Sequence, residues 1–154
     1  MTNEVAHEHY IRRCIELARQ AVLTNDTPVA SLIVSGDQVI AEGVEAVRGT
    51  CDVTAHAEIQ VLRAAFVRLG SLDLTGCTLY TSVEPCIMCA YAIRLARVST
   101  VVSGARPEDV SDRISGYTVL SDVHILPTRA VPLLIRDVLE RECRALFAQP
   151  RLVP

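Results

Sequence analysis

Cys77-Thr78-Leu79-Tyr80-Thr81-Ser82-Val83-Glu84-Pro85-Cys86-Ile87-Met88-Cys89 is the stretch from which the fold can be read. Its first seven residues have strand length and composition and predict a central strand ending at Glu84. Pro85 fits a first helical position, where its missing N–H costs nothing, so a helix is expected from Pro85 to about Ala96. Thr100-Val101-Val102-Ser103 reads as the next, short strand. A strand–helix–strand order calls for a parallel, right-handed crossover. In open α/β sheets the loops at strand C-termini gather the ligand site, and Glu84 to Cys89 occupies that place. Cys86 and Cys89 share one face of a helical turn, so both sulfurs can reach one metal ion.

Upstream stands Thr54-Ala55-His56-Ala57-Glu58-Ile59. Thr54 is a plausible N-cap, which sets His56 and Glu58 in the first turn of a helix. Ile59, Leu62, Ala65/Phe66 and Leu69 line one side of that helix, and Gly70 stops it. Burial of the apolar side fixes the rotation of the first turn and aims His56 inward. One imidazole and two thiolates hold a zinc ion on three sides and leave a fourth position open, as catalytic sites do. Two helix N-termini at the metal favour negative charge there. Bound zinc lowers the pKa of its water toward about 7. Glu58 is then placed to take the water proton and pass it to a leaving amine. A redox Cys-x-x-Cys pair would explain neither Pro85 nor the His-x-Glu element. A structural zinc would want a fourth protein ligand at similar spacing, and no second Cys or His pair supplies one.

These two elements, Thr54 to Ile59 and Glu84-Pro85-Cys86-Ile87-Met88-Cys89-Ala90, resemble those of the zinc-dependent cytidine/deoxycytidylate deaminase superfamily. The likeness is nearest to the bacterial guanine and cytosine deaminase and tRNA adenosine deaminase branches. It implies a three-layer α/β/α sandwich around a mixed five-stranded sheet. It also implies a Zn2+ cofactor on His56, Cys86 and Cys89, Glu58 as proton shuttle, and a homodimer or higher homo-oligomer. The backbone N–H of Ala57 and the carbonyl of Glu84 or Val83 would hold the water and the amine. Members carry a substrate-binding Asn where this chain, counted back from His56, has Glu45. An ionised Glu only accepts hydrogen bonds, so a Glu45 facing the pocket would call for N–H or O–H donors on the substrate. Otherwise Glu45 caps an exposed strand end. Asp112 and Tyr117 fall in the variable segment that closes over the ring in related enzymes. The stretch Tyr80 to Cys86 looks more like guanine deaminases, and Pro28-Val29 more like the tRNA enzymes.

Outward from the motifs, Glu8 to Leu23 reads as an amphipathic helix, ended by Thr24-Asn25-Asp26-Thr27-Pro28. Val29 to Val34 and Gln38 to Val44 read as strands joined through Ser35-Gly36-Asp37, and Glu45 to Val53 as a loop. Val123-His124-Ile125-Leu126 is the candidate fifth strand, and Val131 to Phe147 the final helix. The 154 residues fit one deaminase-like domain spanning 1–154, without repeat or linker.

No apolar run approaches a membrane span despite a mean hydropathy of +0.30, and the N-terminus is polar. Six cysteines including two thiolate ligands point to a reducing, cytoplasmic setting. Cys14, Cys77 and Cys143 are expected in the core, Cys51 in packing or at the pocket, and His7 and His9 in solvent. Net charge is −3, and Arg136, Arg141 and Arg144 alternate with Asp137, Glu140 and Glu142. That mixture describes a solvated face and argues against a nucleic-acid partner. The function expected is hydrolytic deamination of a small nitrogen heterocycle: a free nucleobase or a related purine, pyrimidine, pterin or triazine. Deamination of tRNA adenosine is the alternative. A non-catalytic zinc module would have no use for Glu58.

Overall fold

A computed structural model of the protein describes residues 3–110 and 114–148. The helices and strands run α1 (Asn3–Val22), β1 (Ala30–Ser35), β2 (Gln38–Val44), α2 (Val47–Thr50), α3 (Ala57–Leu69), β3 (Cys77–Val83), α4 (Ile87–Leu95), β4 (Thr100–Ala105), α5 (Tyr117–Ser121), β5 (Leu133–Ile135) and α6 (Glu140–Ala145). The strands form one five-stranded sheet in the order β2-β1-β3-β4-β5. β1 pairs antiparallel with β2 and β3, whereas β3, β4 and β5 run parallel. The mixed sheet and the parallel β3–α4–β4 crossover match the expected class.

Side-chain alternation builds the layers. Leu32, Val34, Tyr80 and Val102 face Ile11, Cys14, Ile15 and Ala18 of α1 and Cys143 of α6. Their neighbours Ile33, Leu79 and Val101 face Val61, Leu62 and Ala65 of α3, Ala90 and Ile93 of α4, and Leu120 of α5. The sheet is therefore buried on both faces, which explains its near-continuous apolar strands. No helix among the described residues is long and apolar enough to cross a membrane.

Several local expectations shift. The fifth strand is Leu133–Ile135, taken from the segment expected to start the last helix, and Val123 to Ile125 form a turn. Leu134 and Ile135 pair with Val101 and Val102, while Asp137 and Leu139 take positive φ values of 60° and 52°. The left-handed pair interrupts any helix across this region, leaving α6 only from Glu140 to Ala145. The loop after β2 contains the short α2, held by the buried Asp26 carboxylate, which accepts from the N–H groups of Arg48 (2.6 Å) and Gly49 (3.1 Å). Cys51 is exposed at φ 55°, and His7 is half-buried with Nδ1 3.0 Å from the Tyr80 hydroxyl.

Candidate active site

α3 and α4 begin alike. Their N-cap positions are His56 (φ −67°, ψ 152°) and Cys86 (φ −74°, ψ 173°), and neither helix has a side-chain cap. Thr54 is not the cap: its N–H and hydroxyl both go to Asp52 Oδ1, at 2.8 and 2.7 Å. Pro85 lies ahead of the helix rather than at its first position, and its carbonyl accepts the Gly116 N–H at 2.7 Å. Two polar side chains thus leave from helix starts and meet. His56 Nδ1 lies 3.6 Å from Cys86 Sγ and 3.6 Å from Cys89 Sγ, and the sulfurs are 3.6 Å apart. Tetrahedral zinc, with bonds of ~2.3 Å to sulfur and ~2.0–2.1 Å to nitrogen, separates such donors by ~3.5–3.8 Å. The triangle has the size three corners of that tetrahedron require.

Charge at the site agrees. The Cys86 thiol is pulled down to about 3, chiefly by its hydrogen bond with Cys89 and then by His56, against the effect of burial. Cys89 moves the other way, raised by the same bond, by burial and by the neighbouring Glu58. The bond between the sulfurs thus favours one thiolate over the other, and thiolate is the form in which both would hold a divalent cation. Glu58 is fully buried beside them, and its Oε1 accepts from the Thr81 hydroxyl at 3.4 Å.

What brings α3 here is partly a glycine. A Cβ on Gly43 of β2 would fall 2.7 Å from the Val61 nitrogen and 2.8 Å from the Ala57 carbonyl oxygen. Any side chain there would push the start of α3 off the sheet. Two residues on, Glu45 is 3% exposed and anchored through its N–H to the Val29 carbonyl at 2.9 Å. Its Oε2 accepts the Ala57 N–H at 3.2 Å. Glu45 therefore turns inward, onto the first N–H of α3, and is no solvent-exposed cap.

Glu84 lies at the end of β3, with its N–H on the Ala105 carbonyl at 2.9 Å and its carboxylate accepting from the Ser115 hydroxyl. Burial pushes its pKa up; Ser115 and the Arg136 guanidinium partly offset that. Ser115 also bridges Cys86 through the backbone. Tyr117 is buried, its hydroxyl 2.7 Å from that of Ser103, with the Arg136 guanidinium 3.7 Å from the ring centroid. Desolvation raises this phenol to about 12. Asp112 lies outside the described residues. His124 is exposed on a turn. Thr81 and Ser115 are not singled out by the sequence, and Arg136 is read there only as part of a solvated charged face. Only Thr81 left a trace there, as a hydroxyl inside an apolar strand.

The family described as the cytidine and deoxycytidylate deaminase zinc-binding region matches residues 4–105, from α1 through β4. The chain belongs to this family. Like its relatives, this deaminase is a zinc hydrolase, and its His–Cys–Cys triangle suits the metal. It is 32% identical over 115 residues to a tRNA-specific adenosine deaminase of Aquifex aeolicus, covering 75% of this chain and 76% of that one. It is 39% identical over 107 residues to a guanine deaminase of Bacillus subtilis, covering 69% of each. The structure of a guanine deaminase from Nitrosomonas europaea superposes with a TM-score of 0.78 at 26% identity, over 92% of this deaminase and 82% of that chain.

Proposed function

We propose that the deaminase removes an exocyclic amine from a small nitrogen heterocycle, with His56, Cys86 and Cys89 as zinc ligands and Glu58 as proton shuttle. The observation that carries this reading is the 3.6 Å triangle of His56, Cys86 and Cys89 with the buried Glu58 carboxylate against it. When bound, zinc supplies a Lewis acid that brings the pKa of a water toward about 7. Glu58 accepts a proton from the attacking water and delivers it to the departing amine. The carbon–nitrogen bond breaks, a carbon–oxygen bond replaces it, and ammonia leaves. Thr81 orients the Glu58 carboxylate by its hydroxyl. Ala57 N–H fixes the Glu45 carboxylate, and Glu45, acceptor-only when ionised, selects a ring edge that presents N–H or O–H donors. Glu84, held by Ser115, and Tyr117, held by Ser103, are proposed to contact the ring, supported by those hydrogen bonds; Asp112 is proposed to close over it. The family resemblance supports a homodimer or higher homo-oligomer as the working form.

Ammonia release from aminated purines, pyrimidines, pterins and triazines, measured beside Glu58→Ala, tests the assignment. Turnover of at least one ring is expected, falling about 10²–10⁴-fold in the variant; equal activity in Glu58→Ala would remove the mechanism. A second reading, deamination of a tRNA adenosine, is favoured by the 32% identity to the Aquifex enzyme across most of both chains. Inosine formation in tRNA at about 0.15 M salt, with no turnover of free rings, would decide for it.

A further inference from the structure

Arg94 is the largest of the fully buried side chains described, 1% exposed, near the end of α4. Helical spacing sets it on the inner face of α4 with Cys89, Ala90 and Ile93, so the guanidinium is carried into the protein. Its Nη1 donates to the carbonyls of Val119, Leu120 and Asp122 at 2.9, 3.1 and 3.0 Å. Nη2 donates to those of Leu126 and Arg129, both at 3.1 Å. Nε is buried without a partner among the described residues. A buried cation is costly unless hydrogen bonds compensate it, and here the compensating groups are all main-chain carbonyls of one segment. Three of them belong to the last turn of α5 and its C-cap, carbonyls that a helix end leaves unmet. The other two belong to the turns after α5.

The near end of that segment rests on the other end of the same helix. Gly116 donates to the Pro85 carbonyl at 2.7 Å, Ser115 bridges Cys86, and the Ser115 hydroxyl meets Glu84. The approach is so close that a Cβ on Gly116 would lie 2.6 Å from both Ala90 Cβ and the Pro85 oxygen. Residues 115–129 are thus fastened along α4 at both ends, at Cys86 by backbone contact and at Arg94 by a five-carbonyl clamp. Any slackening at Arg94 frees the segment that carries Ser115 and Tyr117.

We propose that Arg94 is a positioning residue for substrate binding: it clamps residues 117–129 onto α4 and so sets Ser115 and Tyr117 beside Cys86. The proposal rests on reading the His56–Cys86–Cys89 site as the deaminase centre. Zinc binding and proton transfer use the α3 and α4 starts and do not need the clamp. Arg94→Met keeps the length and removes every donor; Arg94→Lys keeps the charge but replaces the fork with one compact ammonium.

The test uses the full chain loaded with zinc and reads metal stoichiometry, amide hydrogen exchange and steady-state kinetics. In Arg94→Met, zinc per chain should be unchanged. Amides of residues 117–129 should exchange at least tenfold faster, while β1, β3 and β4 keep their protection. KM should rise at least tenfold with kcat within threefold, and Arg94→Lys should show the same pattern, reduced. Unaltered exchange over 117–129 overturns the proposal, as does a fall in kcat or zinc content with KM unchanged. Should Arg94→Met not fold, Arg94→Lys decides by the same readouts; failure of both to fold would make Arg94 a general folding determinant and also overturn it. If the wild-type protein turned over no amine, the functional reading would fail, while the exchange data would still judge the clamp.

Discussion

Glu45 is a buried carboxylate one hydrogen bond away from the residue between His56 and Glu58. An Asn there could still accept the Ala57 N–H through its amide oxygen, and it would add two donors. Glu45→Asn is therefore expected to alter which heterocycle is preferred more than it alters folding. A hydrogen bond to a charged group contributes ~1.5–3 kcal/mol, so the ratio of kcat/KM between rings should move about tenfold or more. Identical specificity profiles would show that Glu45 never meets substrate. Counting from His56 found this residue in the sequence, but its inward direction depends on Gly43 letting α3 sit against β2. Position along a chain is a local property; orientation across a loop is not. Cys86 and Cys89 could be read from their spacing and His56 from its motif with Glu58, whereas Ser115 reaches Glu84 only through tertiary packing.

At the scale of elements, the carboxyl-terminal third shows most clearly where periodicity stops informing. Leu134, Ile135, Val138 and Leu139 satisfy a helical stripe, yet the first two complete the sheet beside β4. Short apolar runs fit both periods, and a partner strand with open hydrogen bonds decides between them. Val123 to Leu126 had strand composition, but the Leu126 carbonyl is held by Arg94 instead of a ladder. The helices and strands nearer the motifs were long and bounded by clear turn residues, and they stand within a few positions of their expected limits. α6 docks on β4 through Cys143, and a Cβ on Gly104 would overlap that sulfur and crowd the Ser82 carbonyl oxygen. Gly104→Ala should therefore destabilise the protein by ~1–3 kcal/mol, as overpacking does. A urea midpoint lowered at constant slope is the expected measurement; no change would mean that α6 yields freely.

Both faces of the sheet hold a phenol that must stay neutral in the folded molecule. Tyr80, on the α1 side, and Tyr117, on the α4–α5 side, are each raised to about 12, first of all by burial. Above pH 10 the unfolded chain has lost protons that the native protein retains, so stability falls as pH rises from about 10 through 12. Below pH 10 the contribution is fully present. Urea midpoints should decline over that window, and Tyr80→Phe should make the decline shallower; an unchanged slope would show that Tyr80 ionises without unfolding cost.

The outer surface of α4 departs from what a lone chain in water would be expected to show. Ile87, Met88, Tyr91 and Leu95 are 47%, 36%, 44% and 46% exposed and recur at helical spacing along one side. Next to them, Leu95 also lines an apolar groove with Leu62, Phe66 and Leu72 between α3 and α4. Scattered apolar residues on a surface need no partner, but a contiguous stripe usually has one. A second copy meeting the same stripe about a two-fold axis would cover it with a self-complementary contact. The helix concerned also carries Cys89 and Arg94, so such a contact would brace the metal site and the clamped segment from outside. Tyr91→Asp with Leu95→Asp places two charges in that contact without touching a core residue. If the stripe is such a contact, light scattering should report a dimer for the unaltered protein and a monomer for the double variant, with the thermal midpoint of the variant independent of protein concentration. Retention of the dimer by the double variant would locate the contact elsewhere and leave the stripe without a role in assembly.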